Sequence, residues 1–178
     1  MQLVHRSIPR EFLEVLPEGM KFIHRQGKEF LVVEELTCPA GHSLMSESVR
    51  IHGEPSIAIA IRRARATNRL FVDAFWGSHA KLYDFMPEPG EALELAEAVC
   101  PECGVSLTVP GKCRGQGCDS EQRIELQLPR AGDRISVCAR VGCPDHRLEV
   151  GGVPKQVNEI VNEINFFGYG EDEQFNGI

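Results

Sequence analysis

Seven cysteines and one histidine carry the chemistry that is legible in this 178-residue chain. Cys100-Pro101-Glu102-Cys103-Gly104 is a C-P-x-C-G turn, which brings two sulfurs close enough to grip one metal ion. Two thiolates fill half of a tetrahedral zinc shell, at roughly 2.3 Å per Zn–S bond. The other half is expected from Cys38-Pro39-Ala40-Gly41-His42, a C-x3-H turn. A second set is more local. Cys113 and Cys118 form a C-x4-C pair, as do Cys138 and Cys143, and each pair has glycine before its last cysteine. Between the pairs, Arg123 to Leu128 reads as a strand, Pro129 to Gly132 as a turn and Arg134 to Val137 as the returning strand, so a hairpin carries four sulfurs to one place. Two zinc ions per chain are therefore expected, one at Cys38, His42, Cys100 and Cys103, the other at Cys113, Cys118, Cys138 and Cys143.

An odd number of cysteines, with no charged and then apolar leader in Met1 to Pro17, argues for thiolate ligands over a disulfide framework and for a cytoplasmic location. C-P-x-C-G turns also hold iron, but the histidine in the first set favours zinc. His146 offers an alternative in the second set, because Cys143-Pro144-Asp145-His146 repeats the C-P-x-C pattern with histidine last. That shell would be Cys113, Cys118, Cys143 and His146; the symmetric spacing favours the four cysteines. A catalytic zinc keeps one position open for water. Four protein ligands are available to each site here, which points to structural metals, with a metal-dependent enzyme using an open zinc site as an alternative. His5, His24, His52 and His79 have no motif around them, and G-x-S-x-G, H-E-x-x-H and P-loop patterns do not occur.

The layout resembles the zinc-ribbon group, in which two metal knuckles are joined by β-hairpins. The likeness spans about residues 37–146 and is carried most closely by Cys100 to Gly104. It implies metal binding and a ribbon-like fold. The C-x4-C spacings are looser than the C-x2-C of the group, and the stretch between the halves of the first site is longer than in a simple ribbon.

The elements that must position these turns follow. Residues 1–37 read as a short strand, a brief helix from Ile8-Pro9 to Pro17, and a hairpin around Gln26-Gly27 that leads to Cys38. Residues 53–86 read as three antiparallel strands: alternating Ile57, Ile59 and Ile61, then Leu70 to Trp76, then Ala80 to Phe85. Pro87 to Gly90 marks an exposed connection back to the second knuckle. Cys38-Pro39 with Ser43-Leu44, and Cys100-Pro101 with Ser106-Leu107, form a faint internal echo. Val157, Ile160, Val161 and Ile164 recur at helical spacing within residues 153–167. The expected fold is mainly β with minor α: tandem zinc-ribbon-like units, the first with an inserted antiparallel sheet, and a C-terminal helix. The expected division is residues 1–110 with the inserted sheet at 43–99, residues 111–152, and residues 153–178 ending in an acidic tail.

A net charge of -7 disfavours a general nucleic-acid coat. Arg62, Arg63, Arg65 and Arg69 nevertheless cluster near Phe71, Phe75 and Trp76, which makes single-stranded nucleic acid an alternative partner if those rings are exposed. The leading expectation is a zinc-binding adaptor or protein-interaction module. Its partner, or a second copy of the chain, would meet the inserted sheet or residues 157–170, and no stretch is long and apolar enough to suggest a membrane span.

Overall fold

A computed structural model describes residues 7–63, 66–86, 97–140 and 142–165. Two short helices accompany eleven strands, so the chain is mainly β. Helix α1 (Arg10–Glu14) precedes a hairpin of β1 (Met20–Arg25) and β2 (Lys28–Val33), turned by Gln26 and Gly27 at φ 49° and 78°. The strand expected ahead of α1, the Pro87 to Gly90 connection and the segment from Phe166 onward lie outside the described residues.

Two antiparallel meanders follow. The first runs β3 (Met45–Ile51), β4 (Glu54–Arg62), β5 (Thr67–Val72) and β6 (Lys81–Tyr83). After β7 (Glu97–Val99), the second runs β8 (Thr108–Pro110), β9 (Gln122–Gln127), β10 (Arg134–Cys138) and β11 (His146–Glu149). Their registers correspond position by position. Met45 pairs Ile57, which pairs Val72, which pairs Lys81; in the same order Thr108 pairs Ile124, which pairs Val137, which pairs His146. Apolar side chains recur at matched places on the inward faces, with Ile57, Ile59, Leu70 and Val72 set against Ile124, Leu126, Ile135 and Val137. Each such side chain, when fully buried, contributes about 1.5–3 kcal/mol.

The two halves are joined by an exchange of arms. Thr37, just before the first knuckle, crosses to the second meander, where its N–H and carbonyl bond Gln127 at 2.9 and 3.0 Å. β7, just before the second knuckle, crosses to the first meander and pairs with Ala60, Ile61 and Arg62 of β4. By register Ala60 is the counterpart of Gln127, and Val99 of Thr37. The arms are therefore related by the same approximate two-fold as the sheets, and the inserted sheet of residues 43–99 proves to be one of two like units.

Helix α2 (Lys155–Asn162), shorter than the 153–167 read from periodicity, covers the outer edge of β11. The Asn162 carboxamide oxygen accepts from the Leu148 N–H at 2.7 Å, and the Asn158 amide donates to the Leu148 carbonyl at 2.9 Å. Backbone groups that would otherwise be an open sheet edge are thus satisfied by side chains. Trp76, 5% exposed, donates its indole N–H to the Val161 carbonyl at 2.8 Å and ties this helix to the first meander.

Candidate metal centres

The same local geometry builds both knuckles of the first centre. In one, the Cys38 N–H bonds the His42 carbonyl, Leu44 N–H bonds Leu36, and the Ser43 hydroxyl oxygen accepts from Met45 N–H at 3.2 Å. In the other, Cys100 N–H bonds Val105, Leu107 N–H bonds Ala98, and Ser106 accepts from Thr108 N–H at 3.2 Å. The Ser-Leu echo in the sequence is the repeated exit from the turn. The second loop is one residue longer, and that residue admits Cys103; the first presents His42 from its exit instead.

These turns bring Cys38, His42, Cys100 and Cys103 together, with one ligand atom of each within 4.8 Å of all the others. Cys38 and Cys100 are buried, whereas Cys103 and His42 are exposed. The four cysteines at 113, 118, 138 and 143 form a second group that meets the same criterion. Their fit to a metal can be tested on distance. A tetrahedron of thiolates 2.3 Å from its centre has edges of about 3.8 Å, and an edge from sulfur to imidazole nitrogen is about 3.6 Å. The observed edges are 3.9 Å for Cys38–Cys103, 3.5 Å for Cys113–Cys143, 3.7 Å for Cys118–Cys138 and 3.5 Å from Cys38 Sγ to His42 Nδ1. Both donor sets match a tetrahedral shell.

Backbone amides prepare the sulfurs for negative charge. Cys38, Cys100, Cys113, Cys118 and Cys143 each receive a hydrogen bond from the amide two residues further on, those of Ala40, Glu102, Gly115, Ser120 and Asp145. Arg140 N–H does the same for Cys138 at 3.4 Å. In the first centre burial works to raise the Cys38 thiol, but bonds from His42 and Ala40 outweigh it and bring it down to about 7. Burial pushes the Cys100, Cys113 and Cys143 thiols up, while the Ser120 amide lowers exposed Cys118. Thiols raised by burial release their protons when a cation takes their place, so metal affinity here falls with acidity.

Charged side chains pack beneath the second centre. Asp145 Oδ2 accepts from Arg114 N–H at 3.1 Å, from Arg147 at 3.2 Å and from the buried Arg123 guanidinium, and lies 3.4 Å from Cys113 Sγ. Burial alone would raise the Asp145 carboxyl; the Arg114 amide and Arg123 overcome it and hold it at about 2. Arg123 also donates to the Ser136 hydroxyl and carbonyl at 3.1 Å each, which fixes its position. Its cationic head helps offset the negative charge of four thiolates.

His146 is not in this group. Its Nδ1 lies 2.9 Å from the Pro144 carbonyl and its Nε2 2.9 Å from the Ile164 carbonyl, and it packs edge-on against Trp76. Its ring nitrogens are thus engaged elsewhere, and Cys138 completes the sulfur set. The stacking platform weighed for nucleic acid is also missing, because Phe71, Phe75 and Trp76 are all buried. Arg62 instead pairs with Glu97 and donates to the Gly104 carbonyl at 3.1 Å, and Arg63 lies over the Phe85 ring.

A site that sequence reasoning missed lies at the matching end of the first meander. By register Asp73 is the counterpart of Cys138, and Ser78 of Cys143. Fully buried Asp73 accepts from His52 Nδ1 at 2.7 Å and the Ser78 hydroxyl at 2.6 Å through Oδ2, and from Phe75 N–H at 3.1 Å through Oδ1. A two-residue turn, His52-Gly53 with φ 52° and 85°, replaces the long loop that carries Cys113 and Cys118. One half therefore closes its end with four thiols, the other with a hydrogen-bonded His–Asp–Ser node. The signal was present in the sequence: Val72-Asp73-Ala74-Phe75-Trp76-Gly77-Ser78 and Val137-Cys138-Ala139-Arg140-Val141-Gly142-Cys143 share valine, alanine and glycine at the same spacing. Gly77 and Gly142 have φ of 90° and 91°, which a side chain rarely adopts.

Comparison with protein-family models, curated proteins and solved structures finds no match to this chain. No helix among the described residues is long and apolar enough to cross a membrane.

Proposed function

We propose that this chain is a protein-interaction module stapled by two structural zinc ions, one held by Cys38, His42, Cys100 and Cys103 and the other by Cys113, Cys118, Cys138 and Cys143. The observation that carries the reading is the completeness of both donor sets: four protein ligands at tetrahedral spacing fill each shell, so neither metal has a position for substrate or water. A metal in such a shell holds elements together. The first zinc would lock the exchanged arms and the second would close the end of the second meander, replacing core that units of this size lack. Among the described residues, Leu82 at 48% and Met86 at 89% are the large apolar side chains exposed on and just beyond β6, and they support a protein contact on the first meander.

Cross-linking in cells tests the reading. The zinc-loaded chain should yield a defined protein adduct, or an adduct with a second copy, that is lost in the Leu82→Glu/Met86→Glu double variant at unchanged zinc content. An adduct pattern indifferent to both substitutions, or a metal count below two in the wild type, would contradict it.

A further inference from the structure

The inward faces of the two meanders do not close completely on each other. A cavity of about 100 Å³ lies between them, walled by Ile57, Ile59 and Leu70 on one side and by their counterparts Ile124, Leu126 and Ile135 on the other. Its volume exceeds what a single water needs, about 10–15 Å³, and its wall is predominantly apolar. Polar groups gather at one end. Register makes Lys81 and His146 counterparts, and both line the cavity.

The two counterparts are satisfied differently. His146 has carbonyl oxygens at both ring nitrogens, one of them supplied by Ile164 just after α2. Lys81 is half-buried and has neither a hydrogen bond nor an ion pair among the described residues. Both carboxylates in the wall are already engaged, Asp73 by His52 and Ser78, and Asp145 by Arg123 and Arg147. Burial pulls the Lys81 ammonium down from its ordinary value, with the Cys143 sulfur acting the other way. An ammonium removed from water without a partner costs several kcal/mol, which an incoming anion would offset.

We propose that this cavity binds a small apolar carboxylate, its hydrocarbon part between the two inward faces and its carboxylate on the Lys81 ammonium. Size limits the ligand to a short acyl chain or a single ring, since a comparable cavity of about 150 Å³ accommodates benzene. The geometry separates this site from both metal centres in function, although Cys138 and Cys143 border it.

Methyl NMR of the full zinc-loaded chain, titrated with hexanoate and separately with hexanol, tests the site. Hexanoate should shift the methyls of Ile57, Ile59, Leu70, Ile124 and Leu126, and Lys81→Met should weaken it by about tenfold or more, the loss expected for one charge-assisted bond. Hexanol binding should change less than about twofold on that substitution by the same reasoning, and Lys81→Arg should retain hexanoate. Ile59→Trp, which fills the cavity, should abolish both. The proposal is overturned if millimolar hexanoate leaves these methyls unmoved, or if hexanoate and hexanol bind the wild type equally. It is also overturned if Lys81→Met releases zinc while hexanoate binding persists, which would assign the ammonium to the thiolate cluster alone.

Discussion

The two meanders share strand order, register and a positive-φ glycine at the same position, yet they close their ends by different chemistry. The second gathers Cys113, Cys118, Cys138 and Cys143; the first holds His52, Asp73 and Ser78 in a buried hydrogen-bonded node. The contrast shows what a structural metal does in such a unit. It ties a long loop, residues 111–121, to the β10–β11 turn. Where that loop is only His52-Gly53, a carboxylate with three donors is enough to hold the corresponding turn. The first metal centre belongs to neither half, because each half sends an arm across to supply part of it.

This difference sets an order of expected effects. Cys100→Ser should be the most damaging single change, since it opens the centre that joins the halves: zinc content should drop by one and the melting transition should broaden or vanish for both meanders. Structural zinc contributes on the order of 10 kcal/mol or more in small domains, so loss of cooperative folding is the expected readout in calorimetry. Cys138→Ser should also release one zinc but leave the first meander folded. Hydrogen exchange should then quicken in β9, β10 and β11 while β4 and β5 stay protected. Equal loss of protection in both halves would show that the halves do not differ as described.

Asp73→Ala comes next. It leaves the His52 ring N–H, the Ser78 hydroxyl and the Phe75 N–H without their acceptor, and a cost of about 2–4 kcal/mol is expected in denaturant unfolding at constant zinc content. A smaller penalty, below about 1 kcal/mol, would mean the node is not what closes the first meander. The mildest effect concerns His79, whose pKa burial lowers to about 4, with Asn165 partly opposing and His146 and Lys81 reinforcing the shift. Its neutral form is favoured in the fold, so its contribution to stability is complete above the ordinary value near 6.5 and is lost as pH falls toward 4. Proton NMR should find the His79 ring titrating near 4; a midpoint near 6.5 would contradict its burial.

Thiolate chemistry explains why the ligand groups were legible in the sequence. Cysteines that share a metal need short, glycine-containing turns, and the spacings of Cys38 to His42, Cys100 to Cys103 and the two C-x4-C pairs show them directly. The alternation of Ile57, Ile59 and Ile61 disclosed β4 for a similar reason, because one face is buried. β3 was hidden: Ser46-Glu47-Ser48 has no apolar alternation, and the strand is held by its ladder to β4 and by the Ser56 hydroxyl on the Val49 carbonyl at 2.7 Å. β8 and β11 are short and partly polar, and they exist because β9 and β10 offer edges to pair with. The two-fold relation was hidden most deeply. Register, rather than residue identity, carries it, and Asp73 and Ser78 share no chemistry with the cysteines that stand in their places.

The central claim is that two complete tetrahedral shells, one shared between the halves and one internal to the second, hold this fold. Native mass spectrometry of the purified chain measures it directly, by counting zinc in the wild type, Cys100→Ser and Cys138→Ser. The account predicts two ions in the wild type and one in each variant, with all seven cysteines unreacted toward alkylation only while metal is bound. A wild-type chain that folds with no zinc, or a Cys138→Ser variant that keeps both ions, would contradict it.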